Sequence, residues 1–318
     1  MDNFTHSLAG WALSQAGLKR KTGLATATLI IAANLPDIDA VATLLGGHQH
    51  LAIRRGITHG PIAMIVLPIV LTFAMIGFDR WQARRGKRPT GRAPIRPVWL
   101  LALAFIGTWS HPALDLMNSY GVRLLEPFSS QWYYGDTLYI IDVWLWLILP
   151  IGIWYSRKLE KTGSGRWRTP ALIVVAMALA YIQFNSWFTK RAVLKTSVAV
   201  TLADQGNLPE QVVANPVPVK FWEREMLWRQ DDGYGTGQYS LANGAGLSGK
   251  RFASNMDNPA VAFARQKNPD LDAYLFWSRM PFAKIEEQNG KTVVIVRDAR
   301  LTNPLLGDRF TVTTVIDE

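Results

Sequence analysis

The sequence predicts an α-helical polytopic membrane domain of about 5–6 membrane helices, followed by a small extracytoplasmic β-rich domain. Three observations predict it. The 318 residues are 49% hydrophobic and only 18% charged, against roughly 25% charged for a soluble domain. Long apolar runs fill residues 1–188, whereas 189–318 alternates like an ordinary soluble chain. Many of the 13 Trp stand at the ends of the apolar runs, among them Trp81, Trp99, Trp154 and Trp187. Amphipathic indoles anchor there, at a membrane interface.

Six apolar segments can be marked, at 4–18, 23–45, 60–78, 98–118, 140–156 and 170–188. A spanning helix needs about 20 residues. Segments 60–78, 98–118 and 170–188 meet that length, and 140–156 barely does. Segment 4–18 is short enough to be tilted or half-inserted. Segment 23–45 is interrupted by Asn34, Pro36, Asp37 and Asp39. A broken helix is tolerated in a bilayer only where its backbone faces protein or water.

Loop charge predicts the orientation. Positive residues number three in 19–21, seven in 79–97 and five in 157–169, against Arg54, Arg55 and Arg123 in the opposite loops. The positive-inside rule puts the rich loops in the cytoplasm. The N-terminus and everything after residue 188 then lie outside. The net charge of +10 is explained by these loops, so no nucleic-acid partner is expected. Cysteine is absent, which excludes disulfide, thiolate-metal and cysteine-nucleophile chemistry. The N-terminus lacks the pattern of a signal peptide.

Beyond residue 188, strand-like alternation is read at 195–202, 220–229, 234–241, 292–297 and 309–316, with a helix near 259–267. Turns are expected at Asp232-Gly233 and Asn289-Gly290.

Ionisable residues inside membrane segments are costly and become functional candidates. On this topology His6, Asp37, Asp39, His59, His111, Asp115, Asp136 and Asp142 all fall in the outer half. Lys and Arg alone set the topology, so this clustering supports a shared site independently. His111 and Asp115 are four apart and share a helix face, and Asn118 follows them. Imidazole and carboxylate together suit zinc, and also manganese or iron. The set could hold one ion, or two about 3.5–4 Å apart. Surplus carboxylates offer a base or partners that orient ligating imidazoles.

Each residue also has a plainer reading. A membrane His can be a hydrogen-bonded packing residue. Asp37 can cap a helix restarted at Pro36. His48 and His50 sit in a Gly-rich loop and read as solvated. Arg54 and Arg55 could neutralise a substrate phosphate or anchor lipid headgroups. Asp136 can be a simple loop residue. No phosphate-binding Gly-Lys-Ser/Thr loop and no Gly-x-Ser-x-Gly elbow is present. Transporter proton relays use similar residues, but nearer the midplane and often within repeats, and no repeat is visible.

Four motifs carry a resemblance. They are Met1-Asp2-x-x-Thr5-His6-x-x-x-Gly10, Asn34-x-Pro36-Asp37-x-Asp39, Arg55-Gly56-x-Thr58-His59, and His111-x-x-x-Asp115-x-x-Asn118-x-Tyr120-Gly121. Pro127-Phe128-Ser129, Trp132 and Asp142 extend the last. Together they resemble the YdjM-like family of predicted inner-membrane, metal-dependent hydrolases. Phe276-Trp277-Ser278-Arg279 and Asp298-Ala299-Arg300 are similar to the outer domain of some members. Arg54 and Gly60 depart from the pattern, standing where His and Ser are expected. The order of ligands is also distantly similar to the zinc-dependent phospholipase C and S-type nuclease superfamily. That similarity implies Asp37, His59, His111 and Asp115 around one metal, with His6 and Asp115 reaching a second.

The expectation is a helical metal-site domain over 1–188 and an extracytoplasmic β-rich domain over 189–318, in a bacterial inner membrane. Its function would be metal-dependent hydrolysis of a phosphoester on a lipid or lipid-linked substrate at the outer leaflet. Metal ligands would be His6, Asp37, His59, His111 and Asp115, with zinc foremost and one or two ions. Asp39 and Asp142 would be catalytic, as base or as supporting carboxylates. Arg54, Arg55 and Asn118 would bind substrate. The alternative is a non-enzymatic membrane scaffold with a structural metal.

Overall fold

The computed structural model of the protein describes residues 1–288, 290–301 and 309–316. The chain divides into two compact units. One comprises Met1–Asp39 and Arg55–Ser186, the other Ala40–Arg54 and Trp187–Glu318.

The first unit is helical. It holds α1 (Asn3–Gln15), α2 (Ala25–Ala32), α4 (Pro61–Arg84), α5 (Pro97–Leu116), α6 (Val143–Lys161) and the first half of α7 (Thr169–Ala203). Among the described residues, three helices, α4, α5 and α7, are long and apolar enough to cross a membrane. A fourth candidate is α2 taken with the 3-10 segment Leu35–Leu45, bent by 42° at their junction. The α1 helix has only 13 residues, about 20 Å at helical rise.

Local chemistry sets the helix ends. Asp2 caps α1 by accepting from the Thr5 N–H at 3.0 Å. Pro61 and Pro97 open α4 and α5 at the first helical turn, where a missing N–H costs nothing. Asp142 caps α6 by accepting from the N–H groups of Trp144 and Leu145, both at 3.1 Å.

Glycines set the spacing of three helices. A Cβ on Gly10 would stand 2.7 Å from the Leu29 carbonyl oxygen. One on Gly107 would stand 2.5 Å from the Ala32 Cβ. Helix α2 is therefore gripped between α1 and α5 at backbone contact, as small residues allow between membrane helices. Leu71, Met75, Leu100 and Ala104 pack with Ala32 on the α4 side. Leu8, Leu145, Leu149 and Val174 join α1, α6 and α7 in a second core.

The second unit contains α3 (His50–Ile53), the rest of α7, strands β1 (Gln211–Pro216), β2 (Glu223–Gln230), β3 (Gly233–Ser240) and β4 (Gly244–Ala253), helices α8 (Pro259–Lys267) and α9 (Pro269–Trp277), and strands β5 (Pro281–Gln288), β6 (Lys291–Asp298) and β7 (Thr311–Ile316). The strands form two antiparallel sheets, ordered β1-β2-β3-β4 and β5-β6-β7. Val213, Leu227, Tyr234, Met280 and Ala299 pack between them.

The Asp298 carboxylate ties this unit together. Its Oδ2 accepts from Ser278 Oγ at 2.6 Å, the Arg279 N–H at 2.9 Å and Arg300 Nη2 at 2.8 Å. Burial alone would raise this carboxyl, but the Arg300 guanidinium and these donors hold it down at about 2. The two later motifs thus meet in one buried lock.

One reading needs correction. Residues 195–202, read as a strand, continue helix α7. The apolar residues there also recur at helical spacing, and a turn-free sequence from Thr169 leaves nothing to end the helix. His48 and His50 fall in the second unit and stay partly exposed there. His48 Nε2 lies 3.2 Å from the Arg309 carbonyl oxygen, and its ring meets Tyr274 edge-on at 5.7 Å. The turn at β2–β3 shifts by one residue, to Asp231-Asp232, where Gln230 pairs with Gly233 and Asp231 takes φ +52°. Of the second expected turn, Asn289 lies outside the described residues.

Candidate metal centre

The site grows from the glycine-gripped helices. Gly10 lies one turn beyond His6, and Gly107 one turn before His111, so each glycine shares a face with its histidine. Close approach of α1 and α5 to α2 brings the two imidazoles together. Their rings stack with centroids 3.8 Å apart and planes 19° apart.

Helix α2 ends at Ala32, and the Ala33 carbonyl accepts from His111 Nδ1 at 2.6 Å. With Nδ1 carrying the proton, Nε2 turns its lone pair inward. Past Asn34 and Pro36 the chain presents Asp37, whose Oδ1 lies 3.7 Å from His111 Nε2. Asp115, one turn beyond His111 on α5, lies 3.5 Å from the same nitrogen.

His59 enters from the segment before α4. Its Nε2 lies 3.3 Å from Asp115 Oδ2. On its other side, Nδ1 lies 3.5 Å from Asp39 Oδ2 and 3.0 Å from Thr58 Oγ1. Asp39 Oδ2 also accepts from Thr58 Oγ1 at 2.8 Å and from the Arg55 N–H at 2.7 Å. Asp39 therefore orients an imidazole from behind, the usual role of a carboxylate outside a ligand set.

Asp37, His59, His111 and Asp115 are all buried, and one ligand atom from each lies within 4.8 Å of the others. The quartet could hold a metal ion. Nε2 of His59 and Nε2 of His111 are buried with no hydrogen-bond partner. Buried polar atoms are normally satisfied, so nitrogens aimed this way fit the role of metal ligands. Two carboxylates with two imidazoles also form a donor set suited to a divalent cation.

His6 stands beside this quartet. Its Nε2 lies 3.3 Å from Asp115 Oδ1, and the Met1 nitrogen bonds the same oxygen. Arg55 has φ +55° and is 3% exposed. Its Nε lies 2.9 Å from Asp115 Oδ2, and its Nη1 donates to Asn118 Oδ1 at 3.0 Å and the Gly121 carbonyl at 3.2 Å. A non-glycine residue in the left-handed region costs energy and tends to be kept where geometry is functional. Asn118 is fully buried and also accepts from the Tyr120 N–H at 2.8 Å.

Other expected site residues are placed differently. Asp142 caps α6 and accepts from the Tyr181 hydroxyl at 3.1 Å. Arg54 falls in the other compact unit. Asp136 is a buried loop residue with φ +48°. Gly60 is accounted for by space, because a Cβ there would run into the Glu126 carbonyl oxygen. Sequence alone singles out neither the Ala33 carbonyl nor Gly107, and holds Gly10 only as a motif position without its gripping role. Only the four-residue offsets of Gly10 and Gly107 from their histidines signal them.

The family model of YdjM inner membrane proteins matches residues 1–192, more than half of the chain, which therefore belongs to that family. The chain is also 26% identical over 166 residues to the "Uncharacterized protein YfhP" of Bacillus subtilis (strain 168), a match covering 49% of this chain and 47% of that protein. It thus spans about half the length of the curated relative it matches. No solved structure matches it.

Proposed function

We propose that this member of the YdjM inner membrane protein family is a metal-dependent hydrolase acting on a phosphoester of a lipid or lipid-linked substrate at the outer leaflet. One observation carries the reading: four buried ligand atoms from Asp37, His59, His111 and Asp115 lie within 4.8 Å of one another. Zinc suits that set first, with manganese or iron next. A bound divalent ion would polarise a phosphoryl oxygen and lower the pKa of water.

The chain's own residues supply the rest. Asp39 holds His59 by its Nδ1 side, and Ala33 holds His111 likewise. Arg55 steadies Asp115 through Nε and Asn118 through Nη1, and its Nη2 is what it offers a phosphoryl oxygen. His6 borders the quartet on the Asp115 Oδ1 side, where a second ion would sit. The proposal keeps the six-segment topology, with basic loops in the cytoplasm and the β-rich unit outside. Placement of the acidic and imidazole residues at membrane depth favours a lipid substrate over a water-soluble one.

A second reading has its own support. Every quartet residue is at most 7% exposed, and four-ligand closed sites are typical of structural metal. The protein would then be a scaffold whose β-rich unit binds a partner.

Metal content and turnover separate the readings. Purified wild type should contain near-stoichiometric metal and His59→Ala far less; equally low metal in both overturns both readings. Phosphodiesterase or phosphatase turnover of lipid phosphoesters that disappears in Arg55→Gln while metal stays bound supports the enzyme. Metal-loaded protein that turns over no lipid phosphoester favours the scaffold.

A further inference from the structure

A second site lies in the helical unit, on the face where α1 meets α6. There a groove of about 520 Å³ runs between the two helices. On α1 its wall is Phe4, Leu8 and Trp11, at offsets of four and three, which is one helical stripe. On α6 it begins at Pro150 and Ile153 and ends at Arg157, Lys158 and Lys161. The helices run in the same direction along it. Phe4 meets Trp146 edge-on at 5.1 Å near one end, and the Arg157 guanidinium lies 5.4 Å over the Trp11 ring near the other.

Two features of this groove point to one occupant. The first is its length. From Pro150 to Lys161 the α6 wall rises about 16 Å, close to one leaflet of a hydrocarbon core about 30 Å thick. The second is its charge. Arg157, Lys158 and Lys161 gather at one end, and no carboxylate pairs with them among the described residues. Glu160, next to Lys161, is turned to Lys19 instead. By contrast, Asp79 in the neighbouring basic loop is already shared by Arg88 and Arg92. Apolar wall, aromatic rungs and an uncompensated triple positive end together match a lipid that carries a negative headgroup.

We propose that this groove binds one anionic phospholipid, with its phosphate at Arg157, Lys158 and Lys161 and an acyl chain along Phe4, Leu8 and Ile153. The lipid belongs to the leaflet facing the basic loops. Basic pockets between membrane helices take such headgroups through charge and shape together. The aromatic rungs border the cations: the Lys158 ammonium lies 5.3 Å over the Trp154 ring, and both residues line the groove. None of the groove residues belongs to the Asp37, His59, His111 and Asp115 quartet, so the site stands whether or not the protein is a hydrolase.

Native mass spectrometry of the full chain tests it. The protein, in neutral detergent, is incubated with phosphatidylglycerol or with phosphatidylcholine bearing the same acyl chains. Wild type should retain the anionic lipid about tenfold more than the zwitterionic one. Arg157→Gln/Lys158→Gln/Lys161→Gln should bring that ratio close to one, and the exposed Lys161→Gln alone should lower it about threefold. A control, Arg84→Gln/Arg85→Gln/Lys87→Gln, removes as much positive charge from the 79–97 loop and should leave the ratio unchanged. Equal retention of both lipids by wild type, a triple variant that keeps the preference, or equal loss in the control would each overturn the proposal.

Discussion

The His6 and His111 rings lie face to face, 3.8 Å between centroids, on helices that close on α2 through Gly10 and Gly107. The stack is therefore a reading of helix spacing. If the helices part by even a fraction of an ångström, the rings separate and the ligand atoms spread.

Gly107→Ala tests that dependence. The added methyl would stand 2.5 Å from the Ala32 Cβ and 2.9 Å from the Leu29 carbonyl oxygen, so α5 must move outward. Overpacking of this kind costs about 1–3 kcal/mol. Thermal unfolding in detergent should show the loss, and metal content should fall although no ligand has changed. Full metal content at wild-type stability would mean that the spacing is not set here.

Asp39→Asn separates holding from ligating. The Asp39 Oδ2 bonds to Thr58 and to the Arg55 N–H aim His59 at the quartet without joining it. Losing an orienting partner weakens metal affinity about 10–100-fold. Competition with a calibrated chelator should find the dissociation constant raised within that range. A variant that binds no metal at all would make Asp39 a ligand, and an unchanged constant would remove it from the site.

Asp298 gives the second unit an acid sensitivity. An ordinary Asp carboxyl titrates near 3.8, and here it is held at about 2. A depressed folded-state value stabilises above the unfolded one, so the full contribution is present above pH 3.8 and is lost as pH falls through about 2. Hydrogen exchange of the β5–β7 amides in the full chain should accelerate across that window. Asp298→Asn should flatten that response and cost about 3–5 kcal/mol at neutral pH, because buried Arg300 loses its counter-charge.

The absence of cysteine makes the proposed topology directly measurable. Phe128→Cys and Thr90→Cys place single thiols in the α5–α6 and α4–α5 connections, both at exposed positions. In intact spheroplasts an impermeant maleimide should label Phe128→Cys and spare Thr90→Cys. The reverse pattern would invert the protein and move the metal quartet to the cytoplasmic side.

Much of the helical unit was legible because a bilayer imposes length and polarity on sequence. Segments 60–78, 98–118 and 170–188 became α4, α5 and α7 for that reason. The His111 and Asp115 pairing followed from helix periodicity alone. What periodicity could not give was the approach of one element to another. The part Ala33 plays depends on where α2 stops, and the placement of residues 40–54 with the second unit depends on contacts far along the chain. Asp142, expected as a catalytic or supporting carboxylate at the mouth of an apolar run, is also the cap of the first turn of α6, a use that periodicity does not announce.

The bend after Ala32 has a practical consequence. A helix that stops inside a packed unit leaves carbonyls with no next turn to receive, and apolar surroundings offer them nothing. The Ala33 oxygen is rescued by the His111 ring. Deleting that ring strips a donor from the end of α2 as well as a nitrogen from the quartet, so a His111 knockout confounds two injuries. His59, whose far side leans on side chains instead of an orphaned backbone, is the cleaner excision, and a genetic screen for the metal's importance should begin there.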